Sequence, residues 1–146
     1  MDFINRIIYD LTQVHPLHTL IVHFPIALTG AALFFILLAL WRRSDTLEQV
    51  AFANISLAAV STVVAGITGI LDNNRLYEGA APNANVKIIL ASILFVVTTI
   101  TALARWRNPA LFHTMPQKVF YVSAYVVSFM LVSVLGFLGG VILYGF

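Results

Sequence analysis

Apolar residues fall into four long runs along this chain, at residues 17–41, 50–71, 86–104 and 119–143. Each run is close to or above the ~20 residues that a helix needs to cross the hydrocarbon of a bilayer. Charges, Asn and Pro gather between them, at residues 42–48, 72–85 and 105–118, as loops require. Short connections favour antiparallel neighbours. The pattern therefore predicts an all-α fold: a four-transmembrane-helix bundle, up-down-up-down, in one integral membrane domain over residues 1–146.

Residues 1–14 follow another rule. Phe3, Ile4, Ile7, Ile8, Leu11 and Val14 recur at helical spacing, with Asp2, Asn5, Arg6, Asp10 and Gln13 on the other face. That stripe predicts a short amphipathic helix lying in the membrane interface. A basic stretch, a short apolar core and a small-residue cleavage site do not follow one another here, so no cleavable signal peptide is expected.

Composition agrees. Of 146 residues, 60% are hydrophobic and 10% charged, against roughly 25% charged in soluble domains. So few charges cannot cover a surface facing water. The absence of Cys excludes disulfides, thiolate metal sites, iron–sulfur clusters and covalently attached c-type haem. The net charge of +2 comes from cations scattered at span ends, which argues against nucleic acid as a partner. Arg42, Arg43, Arg105, Arg107 and Lys118 on one side outnumber Arg6, Arg75 and Lys87 on the other. This bias puts the first side in the cytoplasm and both termini outside, with Trp41 and Trp106 at the cytoplasmic interface.

The middle of each span lacks Asp, Glu, Lys and Arg, which a proton or cation carrier would keep along its path. Active ion transport is disfavoured, and a passive channel is a distant reading. Gly136 and Gly140, and Gly66 with Gly69, offer spacings that permit close helix contact, within the bundle or on a dimer face. No nucleophile elbow, phosphate-binding loop or zinc-protease helix occurs, so the chain is not expected to be an enzyme on its own.

Chemistry concentrates in the stretch His15-Pro-Leu-His18-Thr-Leu-Ile-Val-His23-Phe-Pro25, which holds three of the four histidines. On a helix, His15 and His18 lie about 60° apart, whereas His23 lies about 140° from His18 and one and a half turns deeper. Pro25 leaves the carbonyl of Ile21 without its helical partner and should kink the span. The topology puts Asp72 at the same membrane face, placed to fix an imidazole tautomer. His113 belongs to the opposite face, a bilayer thickness away. His15, His18 and His23 are thus the candidate cofactor ligands, and these three with Asp72 the candidate metal ligands.

Imidazole serves b-type haem, non-haem iron, copper and zinc. Since His18 and His23 diverge, one chain cannot easily grip a haem from both sides. A second subunit, a partner protein or a small metal ion is required. The competing reading is structural: His15 sits among headgroups and the others pack and hydrogen-bond.

The same opening motif resembles that of a family of uncharacterised bacterial four-helix membrane proteins, catalogued as a domain of unknown function. Gly66-Ile-Thr-Gly69-Ile-Leu-Asp72 and Gly136-Phe-Leu-Gly139-Gly140-Val-Ile-Leu-Tyr144 resemble its second-span and last-span endings, so the likeness covers essentially the whole chain. One position departs: Asn83-Ala-Asn85-Val-Lys87 stands where a further His is expected near the start of span three. The resemblance implies a multi-pass protein of the bacterial inner membrane in a redox setting, beside cytochromes and with haem as the favoured ligand. The expectation is a redox-associated subunit that binds b-type haem or a transition metal, as a homodimer or within a larger complex. The alternative is a non-catalytic structural or assembly subunit of a respiratory or photosynthetic complex.

Overall fold

The structure, a computed structural model, describes residues 3–9 and 17–144. Its helices are α1 (Phe3–Tyr9), α2 (Leu17–Ile21), α3 (His23–Arg42), α4 (Asp45–Leu76), α5 (Ala84–Arg107) and α6 (Gln117–Tyr144), with a 3-10 turn at Pro109–Phe112 before α6. Among the described residues there is no strand. Four helical stretches are long and apolar enough to span a membrane: Leu17–Arg42, Asp45–Leu76, Ala84–Arg107 and Gln117–Val141. α3 packs on α4 and α6, α4 packs on α5, and α5 on α6, which closes a four-membered bundle.

Capping chemistry, rather than hydropathy, sets the helix ends. Arg43 takes a left-handed conformation (φ 50°), and the Ser44 N–H reaches back to the Ala39 carbonyl at 3.1 Å. The Ser44 hydroxyl then accepts from the Leu47 N–H at 3.4 Å and starts α4 at once. The expected loop at residues 42–48 is thus mostly helix, and Glu48 lies inside α4. At the other end α4 runs on through Asp72, Asn73 and Asn74. Tyr77 and Gly79 both donate to the Asn73 carbonyl (3.1 and 3.0 Å), and the Asn73 side chain accepts from Ala81 at 3.0 Å. Residues expected in a loop serve instead to stop a helix. Spans three and four likewise start and end a little beyond the expected 86–104 and 119–143.

Span one is interrupted at Val22, three residues before Pro25. The missing proline N–H and the bulk of its ring act on the preceding turn, as expected. Helical backbone bonds still cross the break: Val22 donates to His18 at 2.8 Å, and Ile26 to Val22 at a long 3.4 Å. Within the N-terminal amphipathic pattern, Phe3–Tyr9 form α1, and residues 10–14 lie outside the described residues.

Small side chains fill much of the interior, beside Ile36, Ile55, Leu94 and Tyr125. Ala32, Ala39, Ala51 and Ala58 are fully buried, whereas Phe34, Val60, Ile67, Ile100, Phe120 and Phe137 face outward. Water would drive the opposite arrangement. In lipid, large apolar groups gain nothing by turning inward, and small ones let helix backbones approach. The buried hydroxyls of Thr29, Thr62, Thr98, Thr101 and Ser128 donate to carbonyls four residues back in their own helices, at 2.6–2.8 Å. They serve packing and line no polar path. The chain is a multi-pass membrane protein whose outer surface contacts the bilayer.

The glycines divide. A Cβ on Gly136 would stand 3.5 Å from Ile26, and one on Gly69 would stand 3.1 Å from the His18 ring. Added to Gly66, Gly139 or Gly140, it would meet nothing within 4 Å. The expected paired close contacts therefore hold for one glycine of each pair within the bundle.

Candidate functional site

Both polar centres of the bundle are organised by α4. Glu48 and Asp72 are both buried. They lie 24 residues apart with no other charge between them, a rise of about 36 Å.

At the Asp72 end, His18 occupies the first turn of α2. Its backbone N–H donates to Asp72 Oδ2 at 2.8 Å. The first-turn N–H groups of a helix have no partner within it, and a neighbouring carboxylate is drawn to them. This corrects the expectation that Asp72 fixes an imidazole tautomer: its carboxylate caps α2. The tautomer is set by a backbone carbonyl. His18 Nδ1 lies 2.9 Å from the Ala65 carbonyl oxygen, with the Thr68 hydroxyl at 3.5 Å. A carbonyl only accepts, so Nδ1 carries the proton and Nε2 keeps its lone pair. The ring lies over Gly69, where a Cβ would stand 3.1 Å from it and the ring would have to give by a few tenths of an ångström.

His23, first residue of α3, is exposed on the outside of the bundle. Its Nδ1 lies 2.5 Å from the Thr19 carbonyl oxygen, which places the proton on Nδ1 here too. Among the described residues, Nε2 of neither ring makes a hydrogen bond. The two rings share a chemistry but not a direction: one lies on α4 and the other faces away. His15 lies outside the described residues.

These positions decide what the site can hold. Among the described residues, no three His, Cys, Asp or Glu converge as a metal ligand set. Each imidazole can supply one Nε2 ligand. A group needing two opposed imidazoles, as bis-imidazole haem does, fits only if another His completes it. His113 cannot do so. It sits 3.3 Å from Asp45 at the far end of α4, both side chains well exposed, about 40 Å of helix from Asp72.

The other centre escaped the sequence reading. Glu48 is 1% exposed. Its Oε1 accepts from Arg105 Nε at 2.7 Å and its Oε2 from the Arg105 terminal nitrogen at 2.8 Å. Tyr121 donates its only hydroxyl proton to Oε1 at 2.7 Å, so the Tyr125 hydroxyl, 2.7 Å from that of Tyr121, donates to it. The chain Tyr125 to Tyr121 to Glu48 thus has one direction. Three helices, α4, α5 and α6, meet here, and Arg105 also lies 5.6 Å from the Phe52 ring centre. Both hydroxyl protons are committed, and Glu48 receives three donors, so the cluster acts as a clamp. Its sequence signal was a Glu one turn past Ser44, an Arg ending span three and two Tyr four residues apart.

A lateral groove of about 400 Å³ runs between α4 and α5, lined by Ser56, Val60, Val63, Phe95, Thr99 and Leu103 among others. It carries no ionisable group.

Comparison with curated proteins and with solved structures finds no match to the chain. The sequence model of one family does match, over residues 14–146, and covers both polar centres and all four spans. The chain belongs to that family, DUF2231, described as a predicted membrane protein family.

Proposed function

We propose that this protein is a redox-associated membrane subunit that holds b-type haem or a transition-metal ion through His18 and His23, with His15 in support. One observation carries the reading: both imidazoles have Nδ1 tied to a backbone carbonyl, at 2.9 and 2.5 Å. Such a bond fixes ring and tautomer and presents Nε2 as the ligand atom, as in metal-binding histidines. The group would supply electron transfer or Lewis acidity, and the chain would supply the oriented nitrogens and the apolar surround. In this reading the protein resides in the bacterial inner membrane with its termini in the periplasm. It works as a homodimer or within a larger complex that includes cytochromes.

A structural or assembly role is the second reading. The packing of His18 over Gly69 and the capping of its N–H by Asp72 favour it, since both stabilise the bundle without any ligand.

An absorbance spectrum and an iron, copper and zinc assay on freshly purified protein separate the two. A Soret band or stoichiometric metal, lost in His18→Gln and His23→Gln, is the expected result. Protein free of both, with complex recovery impaired by the same substitutions, would establish the structural role.

A further inference from the structure

The lateral groove between α4 and α5 opens to the outside of the bundle, where Val60, Val63, Phe95 and Leu103 are exposed. Its lining offers hydrocarbon alone. The Ser56 hydroxyl is turned back to the Phe52 carbonyl at 2.8 Å, and the Thr99 oxygen is buried from the surface. A ligand with polar groups along its length would find no partner here, whereas an acyl chain needs none.

Glu48 and Arg105 are bonded and so mark one level of the bundle. Beneath that level the α5 wall of the groove runs from about 3 Å at Leu103 to about 15 Å at Phe95. The α4 wall runs from about 12 Å at Ser56 to about 24 Å at Val64. One leaflet contributes about 15 Å of hydrocarbon. The groove therefore starts near the rim and reaches the bilayer centre, which is the course of an acyl chain hanging from a headgroup at the Arg105 end.

That end is cationic. Arg107 lies four residues past Leu103, on the same side of α5, and is exposed. Among the described residues it has no acidic partner, since Asp45 is engaged with His113 and Glu48 with Arg105. Arg105 gives Glu48 two of its five N–H donors and stands beside Phe52, one turn above Ser56. Trp106, between the two arginines, is an exposed ring of the kind that sits among headgroups.

Charge decides the occupant. A second copy seated here about a two-fold axis along the membrane normal would bring its own Arg107 to the same rim, like charge against like. A zwitterionic lipid would set its own cation beside the arginines. We infer that the groove seats an acyl chain of an anionic phospholipid whose phosphate is held by Arg107, with Arg105 beside it. Guanidinium N–H groups match phosphate oxygens in both geometry and charge.

The chain has two Trp, which makes the test direct. Phe95→Trp, combined with Trp41→Phe and Trp106→Phe, leaves one indole, in the groove wall. In the full-length protein in phosphatidylcholine vesicles, its quenching by phosphatidylglycerol brominated in mid-chain is compared with that by phosphatidylcholine brominated alike. The anionic lipid should be preferred about fivefold, as one cation near a membrane surface provides. Arg107→Gln should remove that preference at unchanged helicity. So should Val60→Phe, which crowds the groove from its exposed side. Arg42→Gln, at the end of α3 and diagonally across the bundle from α5, should leave it in place. Equal quenching by the two lipids, or a preference that survives Arg107→Gln or Val60→Phe, would overturn the inference. A loss in Arg42→Gln as large as in Arg107→Gln would overturn it too, by showing a diffuse surface charge. Protection of the indole from both lipids would put another protein surface in the groove, and would likewise overturn it.

Discussion

Asp72 and His18 meet through a carboxylate and a backbone N–H, 2.8 Å apart, and not through the imidazole. The acid thus holds the start of α2 while the ring stays free to take its orientation from α4. Asp72→Ala should remove the cap and lower stability by about 1–2 kcal/mol, whereas Asp72→Asn keeps an acceptor and should lose much less. Thermal unfolding in detergent measures both, and equal losses would show that charge rather than capping matters.

The Glu48–Arg105 pair predicts a different pattern. Removing either partner leaves the other buried and unpaired, at a cost of about 3–5 kcal/mol. The double variant Glu48→Leu with Arg105→Met should be more stable than either single variant. A double-mutant cycle read by chemical denaturation decides it. Additive losses would mean that the two side chains act independently.

Within the same cluster, the direction of the hydroxyl chain grades two conservative changes. Tyr125→Phe removes only the first donor and should cost about 1 kcal/mol. Tyr121→Phe leaves Glu48 short of one donor and Tyr125 without its acceptor, and should cost clearly more. The order of the two melting temperatures is the measurement.

Gly69 and Gly66 lie three residues apart on α4 and should respond oppositely to alanine. In Gly69→Ala the new methyl meets the His18 ring at 3.1 Å, so the ring must move, at a typical cost of about 1–3 kcal/mol. Gly66→Ala meets nothing and should stabilise the helix by up to about 1 kcal/mol. Imidazole NMR signals should shift in the first variant and stay in place in the second.

The exposed His113–Asp45 contact should contribute little. His113→Ala is expected to change stability by less than about 0.5 kcal/mol. It should also leave any metal or haem content unaltered, because the contact stands at the wrong end of α4.

What could be read from the sequence was what depends on one helix at a time. Span count, the divergence of His18 and His23, the separation of His113 and the disturbance before Pro25 all follow from rise, pitch and a missing N–H. What could not be read depends on which groups meet. Asp72 was placed at the right face but given the wrong partner, since two donors of one residue, ring and backbone, competed for it. Glu48 was assigned to a loop because its charge looked like a span boundary. Only the Ser44 cap, and the arrival of Arg105 and Tyr121 from other helices, make it interior. Hydropathy marks where lipid contact ends, and hydrogen bonds decide where the helix ends.

The two buried carboxylates of α4 also give the protein a fixed stature. Glu48 ties α4 to α5 and α6 at one rim, and Asp72 ties it to α2 at the other. Helices pinned to a common partner at both rims cannot slide past one another to shorten the bundle. In a thinner membrane the molecule must lean as one body or draw the surrounding lipid thin around it. It carries its own measure of the bilayer it was built for.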